Sequence, residues 1–115
     1  MATLPGKYAP PKGELLIAYY EGEAVGCIAL RPFENDTCEI KRLYVRPTTR
    51  GLKLGQTLAA AVLERARLIG YGRAVLDTGG FMHSAQRIYE TAGFRDIPPY
   101  YHNPIPGCRF LGADL

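Results

Sequence analysis

The chain has 115 residues, 47% of them hydrophobic and 22% charged, with a formal net charge of +3. That length suits one domain with one modest core. No apolar run reaches the roughly 20 residues that a membrane span needs, and so mild a charge fits one small polyanion better than an extended nucleic-acid surface.

Met1 to Gly13 is rich in proline and has no apolar signal core, so an extended arm on a cytoplasmic protein is expected. Glu14 to Glu21 reads as a strand by its aliphatic and aromatic content, Glu21-Gly22-Glu23 as a turn, and Ala24 to Leu30 as the second arm of a hairpin. Pro32 to Thr37 reads as a loop, and Cys38 to Val45 as a third strand whose charges alternate unevenly. Strand alternation places Glu39, Lys41, Leu43 and Val45 on one face.

Lys53 to Ile69 carries the clearest helical period, with Leu54, Leu58, Ala61, Val62, Ala66 and Ile69 on one stripe and Gly70 as the C-terminal cap. Arg73 to Asp77 is a short strand parallel to the third, because a helix joins them. Met82 to Ala92 is a second helix with Ala85, Ile88, Tyr89 and Ala92 on one face; Gly93 caps it and Phe94 returns the chain to the sheet. Cys108 to Leu111 is the last strand. The sum is a single α/β (α+β) domain, a mixed sheet with helices packed on it. Cys27, Cys38 and Cys108 lack metal spacing and read as reduced core thiols, with a reactive cysteine as the lesser alternative.

Chemistry concentrates between the third strand and the first helix, in Arg50-Gly51-Leu52-Lys53-Leu54-Gly55-Gln56. The first N–H groups of a helix have no internal partner, and the helix dipole adds partial positive charge there. Arg50 and Lys53 add formal charge, and Gly51 permits close approach. Such a place suits phosphate, and so a phosphate-bearing ligand is expected.

The loop, with Ala85-Gln86-Arg87-Ile88-Tyr89-Glu90-Thr91-Ala92-Gly93-Phe94 and Leu43-Tyr44-Val45-Arg46-Pro47, resembles the GNAT superfamily of acetyl-coenzyme A-dependent N-acyltransferases. The family's loop motif is Gln/Arg-x-x-Gly-x-Gly/Ala; here Lys53 stands at its first glycine. Met82 stands where many members carry an asparagine that contacts the pantetheine arm. The resemblance implies acetyl-coenzyme A as co-substrate, no metal, and an amine acceptor. It places Arg50, Gly51, Leu52, Lys53, Leu54, Gly55 and Gln56 on the pyrophosphate, with Leu43, Tyr44 and Val45 along the pantetheine arm between splayed strands. Family members usually have a strand and two helices before the hairpin. Only Met1 to Gly13 stands there in this chain, which implies a shortened form whose acceptor wall is open or comes from a second subunit, hence a homodimer.

By the same resemblance Tyr89 is the acid that protonates the leaving thiolate, and Glu39 the base that takes a proton from the amine. The lesser alternative for Tyr89 is an amphipathic core residue, and Glu39 reads as well as the partner of Lys41, Arg42 or another surface charge. Asp77 sits at a strand end, where α/β sheets place functional groups, or simply forms a turn. His83 opens a helix; His102, with Tyr100 and Tyr101, lies in a loop that often borders the acceptor in this fold. Two other classes stay open: a coenzyme A-binding module without turnover, and a nucleotide or nucleic-acid binder using the same basic loop.

Overall fold

The computed structural model describes residues 13–46, 53–79, 83–102 and 107–115. The expected N-terminal arm up to residue 12, the loop residues Arg50, Gly51 and Leu52, and Met82 lie outside the described residues. The elements, in chain order, are β1 (Glu14–Tyr20), β2 (Glu23–Glu34), β3 (Thr37–Val45), α1 (Leu54–Ile69), β4 (Arg73–Thr78), α2 (His83–Thr91), β5 (Arg95–Asp96) and β6 (Arg109–Asp114). They build a six-stranded sheet in the order β1-β2-β3-β4-β6-β5. Only β3 and β4 pair in parallel, as a crossover helix requires.

Both helices pack on one face of this sheet. Leu16, Ile28, Leu30, Ile40, Leu76 and Leu111 project from the strands toward Leu58, Val62, Leu63 and Ala66 of α1 and Tyr89 of α2. Burying each such large side chain contributes about 1.5–3 kcal/mol, so this layer is the main source of stability. The buried stripe of α1 is Gly55, Leu58, Ala59, Val62, Leu63 and Ala66. It is turned from the expected stripe, which included the half-buried Leu54, Ala61 and Ile69 and missed Leu63. The cause is α2: a Cβ on Gly55 would run into Cδ1 of Ile88, so the bare backbone of Gly55 forms the helix–helix contact. Gly70 caps α1 as expected, with φ 113° and its N–H on the Ala66 carbonyl 3.2 Å away.

Three expectations need correction. First, Pro32 to Thr37 is not a loop. β2 continues to Glu34 and turns tightly through Asn35-Asp36, with Asn35 at φ 43°. Among the described residues β1 pairs with β2 no further than Leu30, and beyond it β2 has β3 on one side only. Pro32 sits on that open edge, where the missing N–H costs no ladder bond. Second, the last strand runs to Asp114 rather than Leu111. At Gly112 and Ala113 the chain is flanked by β4 and by Ile97, and backbone pairing with β4 holds these small residues in the strand.

Third, Glu39, Lys41, Leu43 and Val45 do not share a face. Ala29 pairs with Lys41 and Cys27 with Tyr44, so β3 carries one more residue than β2 across that interval. This bulge inverts the alternation. Glu39, Lys41 and Tyr44 point away from the helices, whereas Leu43 and Val45 join the helix-side core. The adjacent charges Lys41 and Arg42 were its trace in the sequence.

Candidate active site

β3 and β4 pair only from Thr37↔Arg73 to Glu39↔Val75. Beyond that they part: Ile40–Val45 of β3 and Leu76–Thr78 of β4 make no ladder with each other. Backbone N–H and C=O groups in such a gap need partners. Thr78, at the end of β4, shares the helix-side face with Ala74 and Leu76 by alternation. Its Oγ1 is buried and has no hydrogen-bond partner among the described residues. An orphaned buried hydroxyl beside parted strands fits a polar, extended ligand arm.

α1 follows β3 in the chain, and its first turn is unusual. Lys53 occupies the N-cap position in the left-handed conformation, φ 53° and ψ 37°; no side chain caps the helix, and the first turn holds no acidic residue. The first intrahelical bond is from the Thr57 N–H to the Lys53 carbonyl, 3.2 Å, so the N–H groups of Leu54, Gly55 and Gln56 have no partner within the helix. A left-handed lysine costs roughly 1–2 kcal/mol, and a cation at this end also opposes the helix dipole. Two local rules broken together are the pattern of a functional terminus, and open N–H groups at a helix start suit an anion. The left-handed backbone also explains why a glycine suits this motif position. Lys53→Gly should therefore stabilise the fold by about 0.5–1 kcal/mol net of the glycine's added chain entropy, while weakening binding of a polyphosphate ligand. A urea midpoint that stays put or falls would reject the strain.

Tyr89 lies in the helix-side core, only 5% exposed, its ring edge-on to Phe94 at 5.4 Å. Burial, and then the nearby charge of Asp77, hold its hydroxyl proton well above the ordinary phenol range. α2 is fixed by a clamp the sequence did not reveal. Arg109 of β6 donates to both oxygens of Asp96, 3.0 and 2.9 Å, to Glu90 Oε2 at 3.1 Å and to Gln86 Oε1 at 3.2 Å. Gln86, itself buried, donates to the Gly79 carbonyl at 2.8 Å. The helix is thus tied through Gln86 to Gly79, just past the end of β4, and through Gln86 and Glu90, on both sides of Tyr89, to Arg109 of β6.

The opposite face of the sheet carries a second cluster. Glu39 is fully buried there. Its Oε1 accepts from Arg31 Nε at 2.8 Å, and its Oε2 accepts from the Tyr100 hydroxyl at 2.7 Å with Lys41 Nζ 3.5 Å away. Lys41 also donates to Asp77 Oδ1 at 3.1 Å, and the Tyr101 hydroxyl donates to Asp77 Oδ2. Burial pushes the Asp77 carboxyl up, but the bonds from Tyr101 and Lys41 outweigh it and hold the carboxyl below the usual range. Burial, then the bond to Glu39, drives the Tyr100 phenol well above its ordinary value. Tyr100, Tyr101 and Phe110 pack edge to face, 5.2–5.4 Å between centroids, with Phe33 against Tyr100 at 4.9 Å.

The structure thus brings Glu39 together with Lys41 and Asp77, and sets Leu43 and Val45 along the parted strands. Tyr44, 57% exposed, lies on the other face from its two neighbours. Gly55 is committed to packing through its Cα, with its N–H left in the open first turn. His83 and His102 are exposed, and Cys38 alone of the three cysteines is fully buried. The tyrosine pair was visible in the sequence as a candidate pocket wall, but its attachment to Glu39 and Asp77 was not.

The model of the Acetyltransferase (GNAT) family matches residues 3–94. The chain belongs to this family. An uncharacterized N-acetyltransferase of Schizosaccharomyces pombe is 45% identical over 95% of this chain and 68% of its own length. The N-acetylaspartate synthetase of Mus musculus is 35% identical over 99% of this chain, which spans only 39% of that enzyme. A GNAT family acetyltransferase from Elizabethkingia anophelis, solved with acetyl-CoA bound, superposes with a TM-score of 0.76 at 27% identity, covering 90% of this chain and 77% of that one. The mixed sheet with flanking helices is therefore the GNAT fold. In the family the donor is acetyl-CoA and the acceptor an amine.

Proposed function

We propose that this protein transfers the acetyl group of acetyl-CoA to a primary amine of a small molecule or protein. The observation that supports this most is the parting of β3 and β4 after Glu39 and Val75, with the uncapped N-terminus of α1 next along the chain. Phosphates go to the first-turn N–H groups of Leu54, Gly55 and Gln56, with Lys53 and Arg50 adding charge. The pantetheine amides pair with the parted strands between Leu43 and Val45 on one side and Thr78 on the other.

The amine nitrogen attacks the thioester carbonyl carbon, forming C–N as C–S breaks. Glu39 is the base. Both its oxygens already accept hydrogen bonds, so the amine proton moves to the Tyr100 oxygen as the Tyr100 proton passes along its 2.7 Å hydrogen bond to Glu39 Oε2. Because the Tyr100 anion is disfavoured, the two transfers are concerted. Tyr89 gives its proton to the departing thiolate. Holding both reactants in the gap supplies much of the rest.

A second reading, a coenzyme A-binding module without turnover, is favoured by one observation: Arg31 and Tyr100 already occupy the two oxygens of Glu39, with Lys41 3.5 Å away, and the carboxylate is buried from an incoming amine. One experiment separates the two. Calorimetric titration with acetyl-CoA, with ATP as control, is followed by thiol release over a panel of amines. The transfer reading expects selective acetyl-CoA binding and amine-dependent thiol release. Binding without release on any amine supports the module, and equal binding of ATP removes both.

A further inference from the structure

We infer that the acceptor is an amine that also bears a carboxylate, an amino acid or a close analogue, and that Lys41 with Arg31 recognises the carboxylate. The inference rests on the transfer reaction proposed above and names its substrate class.

Lys41 and Asp77 are the next residues outward, on the same face, from the last paired residues Glu39 and Val75. Their ion pair, 3.1 Å, therefore spans the mouth of the gap where β3 and β4 part. This face bears no helix among the described residues, so it is the side from which an acceptor reaches a thioester held between the strands. The order of burial within the cluster decides which charge that acceptor meets. The Glu39 side chain is 2% exposed and that of Asp77 16%, whereas Arg31 and Lys41 are 29% and 28% exposed. The acids lie beneath and the bases above. Each oxygen of the two acids also already accepts a hydrogen bond from within the cluster, Glu39 from Arg31 and Tyr100 and Asp77 from Lys41 and Tyr101. An incoming ammonium finds no open carboxylate in this cluster, so a polyamine or a lysine side chain gains little here. An incoming carboxylate meets two cationic tips, and an ammonium or guanidinium group carries more donors than the acids beneath it use. The rings of Tyr101 and Phe33, 41% and 38% exposed, offer apolar surface to the carbon frame.

The test is thiol release from acetyl-CoA by the full chain with matched acceptors, L-alanine against L-alaninamide and L-aspartate against L-aspartic diamide. One charge-assisted hydrogen bond corresponds to about tenfold in affinity. The acids should therefore show kcat/KM at least about tenfold above their amides. Lys41→Met should raise the acceptor KM for the acids about tenfold and shrink the preference, and Lys41→Arg should keep it. Calorimetry with acetyl-CoA confirms that each variant is folded. Amides used as well as acids, or a Lys41→Met loss equal in the two series, overturns the inference while leaving acetyl transfer standing. Thiol release from neither series while another amine of the panel releases thiol overturns this inference alone; no release with any amine, with acetyl-CoA still bound, overturns the transfer reaction and this inference with it.

Discussion

Tyr89→Phe is expected to lower kcat by about 100-fold, the usual scale for removing a positioned acid, while acetyl-CoA affinity stays near that of the parent. The substitution keeps the ring and its edge-on contact with Phe94, so the core is unchanged in shape and the fold loses little. The position of the group sets the pH dependence. Burial, then the charge of Asp77, raise the Tyr89 pKa above the phenol value. The hydroxyl therefore stays protonated from acid pH up past the free phenol pKa of about 10. Across neutral and mildly alkaline pH, kcat should not fall through loss of this acid, and the Phe variant should run parallel to the parent at a lower level. Steady-state rates from pH 6 to 9, beside calorimetric affinities, read both effects; those limits are roughly the range over which the free phenol stays protonated. An unchanged kcat would make Tyr89 a core tyrosine and nothing more.

That ambiguity shows where the sequence was legible. Helical period, Gly70 and the strand runs located every element because each is a local consequence of side-chain pattern. The start of α1 was legible for the same reason: a glycine- and cation-bearing turn ahead of an apolar period is a local mark of a helix N-terminus. The left-handed Lys53 is a backbone state that no residue name announces, although its place at a motif glycine pointed to it. The bulge in β3 was announced only by two adjacent charges, and missing it moved Leu43 and Val45 to the wrong side of the sheet. Spacing offered Lys41 as a partner of Glu39, and it lies 3.5 Å from Oε2, but spacing could not find Arg31 or Tyr100. Tyr100 is 61 residues away, and Tyr101 reaches Asp77 from the same loop. Arg109 of β6 joining α2 to Asp96 of β5 is likewise a product of topology, since β6 inserts between β4 and β5.

Glu39 is where stability and chemistry are hardest to separate, and a pair of variants separates them. Glu39→Gln keeps the shape but removes an anion lying 2.6 Å from Arg31 Nη2 and 3.5 Å from Lys41. Breaking a buried pair from one side costs roughly 3–5 kcal/mol. Arg31 and Lys41 keep partial contact with water, and Lys41 retains Asp77, so about 2–3 kcal/mol is expected here, read from urea denaturation. The activity should fall about 100-fold as well, because the Tyr100 proton loses its destination. The double variant Arg31→Met/Glu39→Gln removes both charges. Replacing both partners by groups of similar shape is close to neutral, so most of the lost stability should return, while kcat stays low if Glu39 accepts the proton. If kcat returns together with the urea midpoint, Glu39 serves only to hold Tyr100 and Lys41 in place. The base would then have to be sought elsewhere on this face, with Asp77, already held by Lys41 and Tyr101, as the remaining carboxylate of the cluster.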